Sequence, residues 1–527
     1  MPKVLVADKL SEAGLSVFTR HNGIDVRIEN GLSPEQLKAI IPEFDALVVR
    51  SSTKVTADVI AAADNLKVIG RAGIGVDNID VAAATLRGVV VMNTPQENAI
   101  AAAEHTISLM MALARRIPQA DASLKAGRWE KGRFLGIQLF NKTLGLIGIG
   151  AIGSIVAERA AGLKMRVVAY DPHIPPQTAS KRGIPLVSLD ELLARSDFIS
   201  IHCPLTDETR NMVDAAALKK MRPGAMLINC ARGGIVNEHD LLDALMSGHL
   251  GGAALDVFAV EPAVGNPLCG LSNVVCTPHL GASTVEAQES VAVAIAEQVA
   301  DYLLKGTMRN AVNVPSVSPE LLPHVSPYLV LGEKLGKFLA QISDFAIEEI
   351  ILEYRGEVVE HGVSPITSSV LKGILTPILG NRVNIISAPA IARERGVNVR
   401  EITSRESEDY VSLVGITVRS GDKQHYVAGT IFGRKEIRIV RVNNFDIEAV
   451  PVGTFLFIYN YDRPGVIGNI GGSLAKHGIN IATMYLGRDK AGGRAVSLWQ
   501  IDSPTSKSII DEIAGLPNII SVRQMEL

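Results

Sequence analysis

Cysteine is nearly missing from this chain: Cys203, Cys230, Cys269 and Cys276 are the only four in 527 residues, and no two stand in a CxxC spacing. That fits reduced thiols in a cytosol better than a disulfide framework or a cysteine zinc site. An excess of charge is missing too. The formal net charge is −3, which argues against nucleic acid or an anionic membrane surface as partner. No uncharged apolar run reaches bilayer length, and MPKVLVADKL carries charges where a signal peptide would carry its apolar segment. The expectation is a cytoplasmic protein without nucleic-acid, membrane or metal partners.

What is present is length, enough for three or four domains at roughly 100 to 200 residues each, and one stretch that organises the rest. In Asn141 to Asp171 an apolar run turns at Gly148, Gly150 and Gly153 into an alanine-rich helical pattern, and a second apolar run ends at Asp171. Gly148 permits the tight turn, Gly150 lets backbone approach a pyrophosphate, and Gly153 lets helix lie on strand. Asp171 is spaced to accept hydrogen bonds from an adenosine ribose and to repel a 2′-phosphate, so NAD is favoured over NADP.

Strand and helix patterns alternate from Val4 onward, predicting an α/β chain that opens with a parallel sheet wrapped by helices. Asn98 to Arg116 is apolar nearly all round, a helix for a domain or subunit junction, with His105 as a satisfied interior histidine. A helix from Thr284 to Leu304 is expected to return to the first sheet. The resulting division is 1–97 plus 284–314, then 98–283, then, after a linker following Pro315, 319–450 and 454–527. The third unit mixes helices and strands, and its basic run Arg434, Lys435, Arg438 and Arg441 reads as a solvated strand face or an anion holder. The last unit follows the ferredoxin-like β-α-β-β-α-β order.

Three polar residues stand at predicted strand ends: Arg232 in NCARGGIVNE, Glu261 in DVFAVEP and His279 in TPHLGAST. Hydride transfer from a secondary alcohol needs a base for the hydroxyl proton and a cation for a substrate carboxylate. Histidine suits the first task and arginine the second, while a carboxylate can orient an imidazolium. Taken alone, the three also fit a loop cation, a turn residue before Pro262 and the start of a helix. Geometry decides between these readings.

The run from GLIGIGAIG through NCARGGIVNE, GGAALDVFAVEP and TPHLGAST resembles the D-isomer-specific 2-hydroxyacid dehydrogenase family over about the first three hundred residues. The phrases VVRSSTKVTADVI, RAGIGVDNIDVAAAT and MNTPQENAIAAAEHT resemble the members acting on D-3-phosphoglycerate. The tail resembles an ACT domain, and the segment before it the intervening domain of the long members. The resemblance implies two Rossmann-like doubly wound domains, an α+β intervening domain and a ferredoxin-like regulatory domain. It implies NAD-dependent oxidation of D-3-phosphoglycerate to 3-phosphohydroxypyruvate, with His279, Glu261 and Arg232 as proton carrier, its partner and the carboxylate holder. NAD contacts fall on Gly148, Gly150, Ala151, Ile152, Gly153, Asp171, Cys203, Cys230, Ala231, Arg232, Asp256, His279, Leu280, Gly281 and Ala282.

On the substrate side the resemblance implies Arg50 for a phosphate and the backbone of Gly73, Ile74 and Gly75 for the carboxylate. Ile74 stands where relatives often have threonine. Lys131 and Arg133 either reach a neighbouring subunit's site or are solvated loop charges. In the tail, Asn460, Asp462 and Asn480 match positions that hold L-serine in relatives, and a homodimer or homotetramer is expected; an ACT unit kept only for dimer contacts is the alternative. Two rivals remain open at this point: a dehydrogenase for glycerate, hydroxypyruvate or lactate, and a non-catalytic dinucleotide-sensing regulator.

Overall fold

Runs of β-branched residues form the first sheet, and their period of two divides it into two cores. Strands β1 (Lys3–Val6), β2 (Asp25–Ile28), β3 (Ala46–Val49), β4 (Val68–Arg71) and β5 (Val90–Met92) run parallel in the order β2-β1-β3-β4-β5. Val4, Val6, Val48, Val68 and Val90 face the helices Glu12–Arg20 and Val285–Lys305, whereas Leu5, Leu47, Ile69 and Val91 face the helices Pro34–Ile40 and Ala57–Ala62. Strand β2 escapes a reading by apolar runs because it is a mostly exposed edge, DVRI.

The second sheet holds β6 (Thr143–Ile147), β7 (Arg166–Tyr170), β8 (Phe198–Ile201), β9 (Met226–Asn229), β10 (Gly252–Leu255) and β11 (Val274–Cys276), in the order β11-β10-β9-β8-β6-β7 and all parallel. The helix Ala99–Arg115 buries Ala103, Leu109, Met110 and Leu113 against one face of it. Both sheets reverse their strand order once, between β1 and β3 and between β6 and β8. In open α/β sheets that reversal opens a crevice at the carboxyl ends of the strands.

The computed structural model describes residues 1–21, 23–314, 321–380, 383–407, 409–433 and 435–527. Residues 315–320, where the expected linker starts, and Arg434 lie outside the described residues. The rest of that linker is not one: the helix Leu322–Ile342 begins there, with Pro323 in its first turn, where a missing N–H leaves no bond unmade. The third sheet is mixed, in the order β13-β12-β14-β15-β16-β17, from β12 (Glu349–Gly356), β13 (Asn398–Ser404), β14 (Ser412–Ser420), β15 (Lys423–Phe432), β16 (Glu436–Val442) and β17 (Phe445–Ala449). In the basic run, Arg438 pairs with Glu436 at 2.7 Å and Arg441 with Asp446 at 2.8 Å, which favours the plain surface reading.

The fourth sheet, β18 (Thr454–Tyr461), β19 (Ile481–Arg488), β20 (Arg494–Ile501) and β21 (Ile519–Glu526), is antiparallel in the order β19-β20-β18-β21, the ferredoxin-like arrangement. Leu456, Ile458 and Trp499 pack under the helices Val466–Lys476 and Lys507–Ala514. The opposite face, with Phe455, Phe457, Val496, Leu498 and Met525, joins the core of the third sheet, where Phe338 meets Phe457 edge-on at 5.6 Å.

Candidate active site

The glycine corner after β6 is as tight as its sequence demands. Gly148 has φ +91°, and a Cβ there would stand 3.0 Å from the His202 carbonyl; one on Gly153 would stand 2.2 Å from the Gly148 oxygen. Nothing lies within 4 Å of a Cβ on Gly150. The helix Ala151–Gly162, with Ala151 and Ile152 in its first turn, has no side-chain cap, so its leading amides are left for an anion. Asp171, just past β7, is fixed by the amides of Ile149 at 2.9 Å and His173 at 3.0 Å. Open backbone at Gly150, uncapped amides and a tethered carboxylate fit a dinucleotide with an unphosphorylated ribose.

Three side chains just past the ends of β8 and β9 are held uncharged. Burial pushes His202 down to about 4 while its Nε2 meets the Ser200 hydroxyl at 2.9 Å. Burial likewise raises Cys203 to about 11 and Cys230 to about 12, so both thiols stay protonated and unreactive at neutral pH.

The polar corners of β9, β10 and β11, three adjacent strands, carry the remaining groups. His279 adopts φ +55°, and its Nδ1 lies 2.8 Å from Glu261 Oε2. Glu261 is steadied by the Phe258 amide, which donates to Oε1 at 3.1 Å. The unusual backbone of His279 is held by Asp256, whose carbonyl accepts from the His279 amide at 2.9 Å. The Asp256 carboxylate, 1% exposed, accepts from the amides of Leu280 at 2.7 Å and Gly281 at 2.8 Å and from the Thr277 hydroxyl at 2.6 Å. His105 Nε2 lies 3.1 Å from both Asp256 and Thr277, as a partnered interior histidine does. Burial alone would raise the Asp256 pKa, but the hydrogen bonds from His105, Thr277 and Leu280 outweigh it and lower it. Ala282 lies in the turn closed by the Ser283 amide on the Leu280 carbonyl, 2.8 Å.

Ala231 and Arg232 are shaped by Asn229, whose side chain accepts from the Ala231 amide at 3.0 Å and donates to the Arg232 carbonyl at 2.9 Å. Arg232 crosses to the first sheet's loop. Its Nε donates to Asp77 at 2.9 Å, and a Cβ on Gly75 would fall 1.8 Å from its NH2, so only glycine leaves it room. The carbonyls of Gly73 and Ile74 accept from the Thr94 amide at 3.0 Å and the Asn93 side chain at 2.5 Å.

A third arginine belongs here that the motifs did not single out. Arg71 ends β4; its NH1 would be 1.7 Å from a Cβ on Gly73, and its buried Nε has no partner among the described residues. Burial first, then repulsion from Arg232, lowers its pKa to about 10. The available signal was a cation at a strand's carboxyl end, the rule that picked out Arg232. Thr94 and Asn98, also unforeseen, bury Oγ1 and Oδ1 without partners in the segment beside Gly73. Arg50 follows β3, with its amide on Asp8 Oδ2 at 2.6 Å and its NH1 3.4 Å from the Lys9 carbonyl.

In the fourth sheet, the three tail residues do not bond to one another. Asn460, 4% exposed, donates to the Tyr461 carbonyl at 2.8 Å; Asp462 accepts from Arg488 at 3.0 Å and the Gly492 amide at 3.1 Å; Asn480 donates to Asp502 at 2.7 Å.

Residues 107–281 match the family model described as D-isomer specific 2-hydroxyacid dehydrogenase, NAD binding domain, and residues 324–443 the model of the D-3-phosphoglycerate dehydrogenase intervening domain. Over 528 aligned residues the chain is 44% identical to a D-3-phosphoglycerate dehydrogenase of Archaeoglobus fulgidus and 43% identical to one of Methanocaldococcus jannaschii, with 100% of each chain covered. Among solved structures, a D-lactate dehydrogenase of Aquifex aeolicus complexed with NAD and lactic acid matches with TM-score 0.54 and 27% identity, over 59% of this chain and 100% of that one. A glyoxylate reductase matches with TM-score 0.56 and 28% identity, over 59% and 98%.

Proposed function

The chain belongs to the D-3-phosphoglycerate dehydrogenase family, and from that premise we propose how its own residues carry out the NAD-dependent oxidation of D-3-phosphoglycerate to 3-phosphohydroxypyruvate. When bound, NAD supplies the acceptor for the hydride leaving C2. The uncapped amides at Ala151 and Ile152 would hold its pyrophosphate, Asp171 would accept from the adenosine ribose, and the Asp256 loop would serve the nicotinamide end.

The observation that carries this reading is the His279–Glu261 pair at 2.8 Å, on the strand ends that also present Arg232. His279 Nε2 has no partner among the described residues and takes the proton of the substrate hydroxyl. Glu261 on Nδ1 fixes the tautomer and stabilises the imidazolium that forms. Arg232 and the Gly73–Gly75 backbone hold the carboxylate and the oxygen that becomes the ketone. Arg71 adds a second positive charge, and Arg50 the charge that meets the phosphate. A substrate carrying about three negative charges needs more than one guanidinium, the more so because Asp77 already offsets Arg232.

Regulation by L-serine at Asn460, Asp462 and Asn480 is part of the proposal. Its support is the family of the chain and the chemistry of these short amide and carboxylate side chains. Asn460 and Asp462 stand at the carboxyl end of β18 and Asn480 before the amino end of β19, at opposite ends of the sheet, so a serine held by all three would lie between two copies of the chain. The chain works as a homodimer or homotetramer in the cytoplasm. Trp129 and Leu135, 84% and 85% exposed, form an apolar arm that a second copy would cover, and Lys131 and Arg133 on that arm would reach its site. No helix among the described residues is long and apolar enough to cross a membrane.

An NADH absorbance assay with D-3-phosphoglycerate, D-glycerate and D-lactate side by side, with and without L-serine, tests the whole reading. Preference for phosphoglycerate and loss of rate on adding serine are expected. Equal turnover of the three acids would sink the substrate assignment, and an unchanged rate with serine would sink the regulation.

A further inference from the structure

The first sheet has a crevice of its own at the point where its strand order reverses. Between the carboxyl ends of β1 and β3 lies a cavity of about 140 Å³, lined by Lys9, Leu10, Ser11, Arg50, Gln288 and Val291. Lys9 and Ser11 follow β1, Arg50 follows β3, and Gln288 stands in the first turn of the helix Val285–Lys305. This is the position at which open α/β sheets bind ligands.

The chemistry of the lining is that of an anion site. Neither Lys9 nor Arg50 has an ion-pair partner among the described residues, in contrast to Arg232, which Asp77 neutralises. The nearby carboxylate, Asp8, is 6% exposed and already accepts from the amides of Arg50 and Thr53 and from the Thr53 hydroxyl at 2.9 Å, so it orders the loop instead of filling the cavity. Ser11 caps the nine-residue helix Glu12–Arg20 and keeps its own hydroxyl hydrogen to donate. Gln288 brings an amide N–H. Two unpaired cations and two neutral donors around a space of this size match a phosphate dianion, whose three outer oxygens accept several bonds at once.

We infer that Lys9, Ser11 and Gln288 join Arg50 to form the seat of the substrate's phosphate monoester, and that Lys9 is the residue that separates phosphorylated from unphosphorylated 2-hydroxy acids. The inference rests on the function proposed above and deepens it. Arg71 feels the charge of both Arg50 and Arg232, so it belongs to the same group of cations.

The test uses the full chain and two independent readouts. Binding of inorganic phosphate, followed by calorimetry, is expected to weaken about tenfold or more in Lys9→Gln, a few fold in Gln288→Leu, and to be largely restored in Lys9→Arg. In the NADH assay the KM for D-3-phosphoglycerate should rise by the same factors, with a smaller change in kcat, and inorganic phosphate should compete with the substrate. Phosphate affinity or KM that is the same in Lys9→Gln as in the parent overturns the seat. A parent enzyme that oxidises D-glycerate and ignores phosphoglycerate overturns the functional reading instead, while the phosphate-binding comparison still decides the seat.

Discussion

The two parallel sheets and the two tail sheets solve the same packing problem in opposite ways. Each parallel sheet carries a separate core on each face, and the two sheets meet across a crevice lined with arginines and loop backbone. The tail sheets instead pool their apolar residues into one core in which Phe455, Phe457, Leu498 and Met525 pack with Phe338, Leu339 and Ile350. The lesson is mechanical. Separate cores on either side of a polar crevice can open and close without exposing hydrocarbon, whereas a fused core moves as a body. A displacement of the fourth sheet therefore carries the third with it, and the unit built on the third sheet touches the first through Asn384, which donates to the Gly88 carbonyl at 2.7 Å, and Ile386, which sits in the first sheet's core.

The sharpest break of this comparison is chemical. His279→Ala should lower kcat about 10²- to 10⁴-fold while leaving tail stability untouched, since proton transfer belongs to the crevice alone; a steady-state assay paired with calorimetry checks both. Next comes Phe457→Ala, which removes a ring from the shared core and should destabilise by about 3 to 4 kcal/mol. Calorimetry should show the third and fourth sheets melting in one transition that moves as a whole. A fourth sheet that melts separately in the variant would refute the fused core.

Acid sharpens the contrast from the other side. His202 has its pKa lowered to about 4 by burial, against about 6.5 when exposed. Its contribution is fully present above about pH 6.5 and is lost as pH falls from there through about 4, at most about 3 kcal/mol. Urea midpoints of the parent should therefore fall over that window, and in His202→Gln the fall should be shallower. The smallest effect is expected from Asn384→Ala, about 1 kcal/mol in stability. Under the proposed regulation, and with Asn384 as the joint between the halves, serine should inhibit this variant less than the parent, with kcat in its absence unchanged.

Much of the catalytic half was legible because its physics is local in sequence. A glycine needed for φ +91° at Gly148, an acid one strand later at Asp171, and polar residues directly after buried runs all leave marks a few residues long. Arg71 left the same kind of mark and went unread, since nothing near it in the chain shows that its Nε is buried without a partner. The tail was legible as an order of strands and helices, but the pooling of its cores was not, because an apolar face looks the same whether it meets a helix or another sheet. The stretch that follows Pro315, up to Pro327, reads as a proline-rich linker by composition, yet from Leu322 on it opens the helix that was expected only from Tyr328. It is a helix because tertiary packing buries Val325, Leu331 and Leu335.

Sequence alone determined the α/β alternation, the NAD-type glycine corner and the residue types available for hydride chemistry, since these follow from backbone sterics and from a periodicity that spans neighbouring residues. Only the tertiary structure decided that Arg232 crosses to Gly75, that Lys9 and Arg50 share a cavity with Gln288, and that the two tail sheets are one body. Contacts between residues hundreds of positions apart are fixed by how whole faces pack, and no local pattern encodes which face meets which.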